Sequence, residues 1–214
     1  VRSAILNSGY QFPQKKTVVN LAPAGLHKEG PMYDLPIALA LLSASEQLES
    51  PKIKDYMFLG ELALDGRVRP VLGVLPAAIT AMQRGFKGIM CPVDNAREAA
   101  VLQSKLEVVP VDTLSAAVGF FTGAALMPPV PPDVEDDPDI AAIDYADMRG
   151  HAHLKRALTV AAAGGHNLIM LGPPGSGKSM AAKRLPTILP DLTQEESLET
   201  TKVFSIAGEL RPGQ

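Results

Sequence analysis

Apolar and polar positions along this 214-residue chain switch repeatedly between a helical period and strict alternation, the pattern of helices interleaved with strands. Residues 1–7 carry the helical spacing and stop at Ser8-Gly9, with Gly9 suited to the left-handed position after a helix. Residues 17–21 alternate and are rich in β-branched side chains, which predicts a strand. A loop marked by Pro23, Gly25, Gly30 and Pro31 leads into a helix with Asp34 as its expected cap and Pro36 in its first turn. Ile37, Leu41 and Leu42 share one face of that helix, which is expected to reach about residue 48. Residues 57–64 and 67–71 predict two strands joined by a tight turn at Asp65-Gly66. Beyond them the pattern gives a helix over 75–84 stopped by Gly85, a short buried strand at 88–91, and a helix over 95–102. A strand at 106–111 and a helix capped by Asp112 and ending near Gly123 follow.

The periodicity then lapses. Residues 127–139 hold five prolines and five acids in thirteen positions, too few apolar groups to pack and too many prolines for regular structure, so 127–143 reads as a linker. From residue 144 the helical pattern returns with Ala152, Leu154, Leu158, Ala161 and Ala162 and ends at Gly164-Gly165. An apolar run at 167–171 predicts a strand, 180–185 a helix, and Thr193 the cap of another. The expected organisation is therefore an α/β domain over 1–126, a linker over 127–143 and the opening of a second α/β domain over 144–214.

Charge sharpens this division. The net charge is −3, yet residues 127–143 alone carry −5 while 1–126 and 144–214 carry +1 each, so the acidity belongs to the linker. A nearly neutral balance neither proposes nor excludes a nucleic-acid partner. No apolar run approaches the roughly 18 residues of a membrane span, and the cytoplasm is the expected compartment. Cys91 stands alone among apolar neighbours and reads as a buried small hydrophobe.

The strongest chemical signal lies between the predicted strand at 167–171 and the helix after it. Gly172-Pro173-Pro174-Gly175-Ser176-Gly177-Lys178-Ser179 fits the phosphate-loop pattern G-x-x-x-x-G-K-[ST] at every fixed position. Glycines let successive backbone N–H groups turn toward phosphate oxygens, the lysine ammonium reaches the β and γ phosphates, and the hydroxyl of Ser179 is the expected Mg²⁺ ligand. Met180 follows at the start of the helix. His151 and His153 lie two residues apart, about 200° around a helix, which argues against joint metal ligation.

Ala161-Ala162-Ala163-Gly164-Gly165-His166-Asn167, leading into the phosphate loop, resembles the start of the AAA+ module in magnesium-chelatase-like proteins of the ComM/YifB group. Asn20-Leu21-Ala22-Pro23-Ala24, Lys28-Glu29-Gly30 and Tyr33-Asp34-Leu35-Pro36-Ile37-Ala38 resemble the amino-terminal domain of the same group. Family members are longer at both ends, and the chain reads as cut at each.

The first domain also resembles the proteolytic domain of Lon peptidases, of the ribosomal S5 domain 2-like fold. Where Lon carries its nucleophilic serine after Asp-Gly-Pro, this chain has Met32 after Glu29-Gly30-Pro31. Leu75 falls at the position of Lon's lysine. A thioether and an isobutyl group cannot replace that dyad, so the domain is expected to be peptidase-inactive. The resemblance implies ATP and Mg²⁺ at residues 172–180, with the adenine against Met148, Arg149 and Gly150. It also implies assembly into a ring, with a hexamer expected, and two alternatives for the parent activity. One is DNA branch migration or helicase action in natural transformation; the other is ATP-driven metal insertion into a porphyrin. A chain ending at 214 lacks the acidic strand that serves Mg²⁺ and water, so hydrolysis by it is expected to be negligible.

Overall fold

The structure, a computed structural model, describes residues 1–22, 30–125, 130 and 143–210. Most of the Pro-rich linker and the loop containing Pro23 and Gly25 lie outside the described residues. The chain divides into two compact units, residues 1–133 with 198–214, and residues 134–197.

In the first unit, strands β1 (Tyr56–Phe58), β4 (Gly88–Pro92) and β5 (Glu107–Val111) form a parallel sheet in the order β1-β4-β5. Its register pairs Tyr56 with Gly88 and Gly88 in turn with Glu107. β4 is buried at all five positions, as a central parallel strand covered on both faces must be. Alternation along it feeds two cores. Met90 joins Ile5, Leu35, Leu39, Leu42, Val109, Leu114 and Phe121 under α1 (Arg2–Asn7), α2 (Asp34–Ala44) and α5 (Leu114–Thr122). Ile89 and Cys91 point the other way, to Leu75, Ile79, Ala99 and Leu106 under α3 (Val74–Gln83) and α4 (Ala96–Ala100). Gly88 is required where the strands close up: a Cβ there would lie 2.6 Å from the carbonyl oxygen of Glu107 and 2.5 Å from the Tyr56 ring.

The hairpin at Asp65-Gly66 forms, but its strands are short. β2 (Glu61–Leu62) and β3 (Val68–Arg69) pair antiparallel, with Gly66 at φ 89° and the Asp65 carboxylate accepting from the Arg67 N–H and Nε. The expected single strand over 57–64 breaks at Gly60, where the carbonyl accepts from the N–H of Leu35. A Cβ on Gly60 would meet Val68 Cγ1 at 2.8 Å, so only glycine lets the chain pass from the parallel sheet to the hairpin. Two caps also differ from expectation. Asp34 does not cap α2; its Oδ2 accepts from the N–H of Leu62 instead. Thr113, one residue after Asp112, caps α5 by accepting from Ala116 N–H at 3.2 Å.

Residues 17–21 form no strand. Val18 is 80% exposed and no described strand lies alongside to complete a ladder; a β-rich sequence without a partner has nothing to pair with. The same correction applies in the second unit. Leu168 and Met170 pack inward while Ile169 and Leu171 are 85% and 93% exposed. Alternation is thus intact, but among the described residues the second unit contains no strand. That unit instead packs α6 (Ala152–Gly164) and α7 (Lys178–Arg184) around Met148, Leu158 and Ala181. Gly165, at φ 60°, closes α6 as expected. Helix α8 (Gln194–Ala207) starts with Thr193 and Glu196 capping each other, as expected for that cap, and from residue 198 it belongs to the first unit.

Burial, with the Glu98 charge, pushes the Cys91 thiol up to about 12. At pH 8 its thiolate is then about one part in ten thousand. Iodoacetamide is expected to leave the folded chain unmodified and to alkylate it on unfolding in urea, which intact-mass measurement checks.

Candidate nucleotide-binding site

The loop at 172–179 is built by backbone conformations that only some of its residues adopt cheaply. Gly175 and Gly177 sit at φ 79° and 83°, left-handed values that would strain a residue bearing a Cβ. A Cβ on Gly172 would also come within 3.1 Å of Ser176 Oγ. Gly177 caps α7, whose first residue is Lys178, so the loop runs directly into the positive end of a helix. Lys178 Nζ donates to the carbonyls of Gly172 at 2.7 Å and Pro173 at 2.8 Å and to Ser176 Oγ at 3.2 Å. The ammonium is thereby held over the loop, while Pro174 and the Ser179 side chain remain exposed. A loop of this shape suits a polyphosphate: glycine backbone that a side chain would fill, one fixed cation, and a free hydroxyl beside them.

Met180 points back into the core shared with Met148 and Ala181. The three residues expected at adenine are therefore divided. Met148 is 1% exposed and forms the floor of the unit, whereas Arg149 and Gly150 are exposed. Sequence reasoning missed the part of His151. It starts α6 at φ 52°, a left-handed value rare for a residue with a side chain. Its Nε2 would lie 3.9 Å from a Cβ on Gly177, so the imidazole borders the phosphate loop. Arg184 braces the same unit, donating to the carbonyls of Asp144 and Met180. Among the described residues no group of three His, Cys, Asp or Glu is gathered to hold a metal ion, and no helix is long and apolar enough to cross a membrane.

In the first unit, Met32 and Leu75 pack into one apolar cluster, with Leu75 fully buried. No acid–base pair can operate between two such side chains.

Two family profiles match the chain: one described as subunit ChlI of Mg-chelatase over residues 1–95, the other as magnesium chelatase, subunit ChlI, over residues 144–214. The YifB protein of Escherichia coli is 46% identical over 207 residues, 96% of this chain. The competence protein ComM of Haemophilus influenzae is 42% identical over 210 residues, again 96% of the chain. The chain belongs to the magnesium-chelatase ChlI-related family that includes ComM and YifB. This ChlI-related chain spans 40% of the length of YifB and 41% of that of ComM. The Lon protease of Rhizobium meliloti is 26% identical over 159 residues, 71% of the chain and 19% of that protease.

Proposed function

We propose that this chain is the amino-terminal part of an AAA+ motor of the ComM type. A Lon-like, peptidase-inactive domain over 1–126 is joined by the 127–143 linker to the start of an ATPase domain over 144–214. Residues 172–180 take the phosphates of ATP, Ser179 ligates Mg²⁺, and Arg149 and Gly150, with Met148 beneath them, border the adenine. The observation that carries this reading is the clasp of Lys178 over a loop with two left-handed glycines, together with the 42% identity to ComM. The full-length protein assembles as a hexameric ring in the cytoplasm and remodels DNA.

Titration of the chain with a fluorescent ATP analogue is expected to show Mg²⁺-dependent binding; affinity that ignores Mg²⁺ or no binding at all would remove the nucleotide reading. A second reading, ATP-driven insertion of Mg²⁺ into a porphyrin, is favoured by the resemblance of both matched stretches to subunit ChlI of magnesium chelatase. ATP turnover by the full-length protein separates the two: stimulation by DNA supports the first, and stimulation by chelatase partner subunits with no response to DNA supports the second.

A further inference from the structure

A carboxylate is rarely buried without donors gathered around it. Glu98, on α4, is 7% exposed and holds two. Asn95 Nδ2 donates to its Oε1 at 2.9 Å and Ser205 Oγ to its Oε2 at 2.8 Å. Asn95 also pins both the N–H and the carbonyl of Val71 at 2.9 Å. The network therefore ties α4 to the entry of α3 and, across 107 residues of sequence, to α8.

One face of α8 engages this surface. Leu198 packs on the cluster containing Leu75, and Ser205, seven residues on and so on the same helix face, is 3% exposed. The Ser205 carbonyl accepts from Gly73 N–H at 3.3 Å. Gly208, at φ 72°, lets Leu72 close to within 3.0 Å of where a Cβ would stand. The opposite face stays open, with Val203 at 67% and Ile206 at 62% exposure. The Ser205 hydrogen bond to a carboxylate therefore adds a directional, charge-assisted contact to the apolar one made by Leu198.

We infer that Glu98 and Ser205 form a polar latch by which the α3–α4 surface of the α/β unit captures the helix leaving the phosphate-loop segment, and that this latch opens locally without unfolding the unit. Release frees residues 198–208 as a group. The latch makes the α/β unit a receptor for the polypeptide that follows the loop, whatever ligand that loop takes.

Hydrogen exchange on the whole chain tests it. Ser205→Ala, a small change that leaves both apolar cores intact, is expected to speed exchange at amides 199–208 by about tenfold to a hundredfold, from the loss of one charge-assisted hydrogen bond. Glu98→Gln is expected to speed the same amides. The β4 and β5 amides should keep their protection in both variants. Unchanged exchange at 199–208 in Ser205→Ala would overturn the latch. Exchange rising equally in β4 and β5 would also overturn it, because Ser205 would then belong to one cooperative core.

Discussion

Lys178→Ala is expected to weaken binding of an ATP analogue about 100-fold, equivalent to about 2.7 kcal/mol. That is the range of a charge-assisted hydrogen bond to a phosphate taken largely out of water. The ammonium is held over the loop by Gly172 O, Pro173 O and Ser176 Oγ, and an arriving phosphate exchanges one or more of these neutral acceptors for a charged one. The truncation leaves two carbonyls in an exposed loop, where water replaces the lost donor, so the fold should survive and far-UV circular dichroism should not change. Lys178→Arg is expected to fail almost as badly, because a planar guanidinium does not fit a site with three acceptors arranged for a compact ammonium. Isothermal titration of the three proteins decides the matter. Equal affinities would mean that nucleotide, if bound, lies elsewhere.

Much of this site was legible in the residues because each position answers to a local rule. Gly175 and Gly177 are expected from the phosphate-loop pattern, and their left-handed backbone accords with it, while helix-stop logic located Gly9, Gly85, Gly123 and Gly165 at helix ends. Thr193 with Glu196 was legible for the same reason, since a reciprocal cap needs only a three-residue spacing. Strands failed differently. Residues 17–21 and 167–171 have the composition of strands, and Leu168 and Met170 even keep the inward face, yet a strand belongs to a pair and its sequence does not name the partner. The break at Gly60 was hidden likewise, because Val68 Cγ1 excludes a side chain there only once the hairpin has folded back. His151 carries a rare backbone conformation that no neighbouring residue signals. The Glu98–Ser205 contact spans 107 positions and no periodicity reaches that far.

Glu98 makes the other large prediction. Replacing it with alanine removes the acceptor from Asn95 Nδ2 and Ser205 Oγ at once. At about 1–3 kcal/mol for each buried donor left without a partner, less what relaxation and entering water recover, the loss is expected to be about 2–4 kcal/mol. Glu98→Gln keeps the shape and removes the charge, so it isolates the effect of ionisation. Burial, outweighing the hydrogen bonds from Ser205, Asn95 and Leu75, holds the folded carboxyl above its ordinary 4.5. A carboxyl that keeps its proton more tightly when folded stabilises the fold fully below pH 4.5. That contribution is lost as the pH rises through the higher folded value. Asp65, held low by the Arg67 N–H and side chain, and Glu196, held low by the Thr193 N–H and hydroxyl, act in the opposite direction, losing their contribution as the pH falls. Both are fully exposed, and both are present in wild type and variant alike, so they cancel in the comparison. Urea unfolding at a series of pH values should therefore show wild type losing stability relative to Glu98→Gln as the pH climbs from about 4 toward neutrality. A constant difference across that span would mean that Glu98 ionises in the fold as it does in the unfolded chain, and that the hydrogen bonds it accepts offset its burial completely.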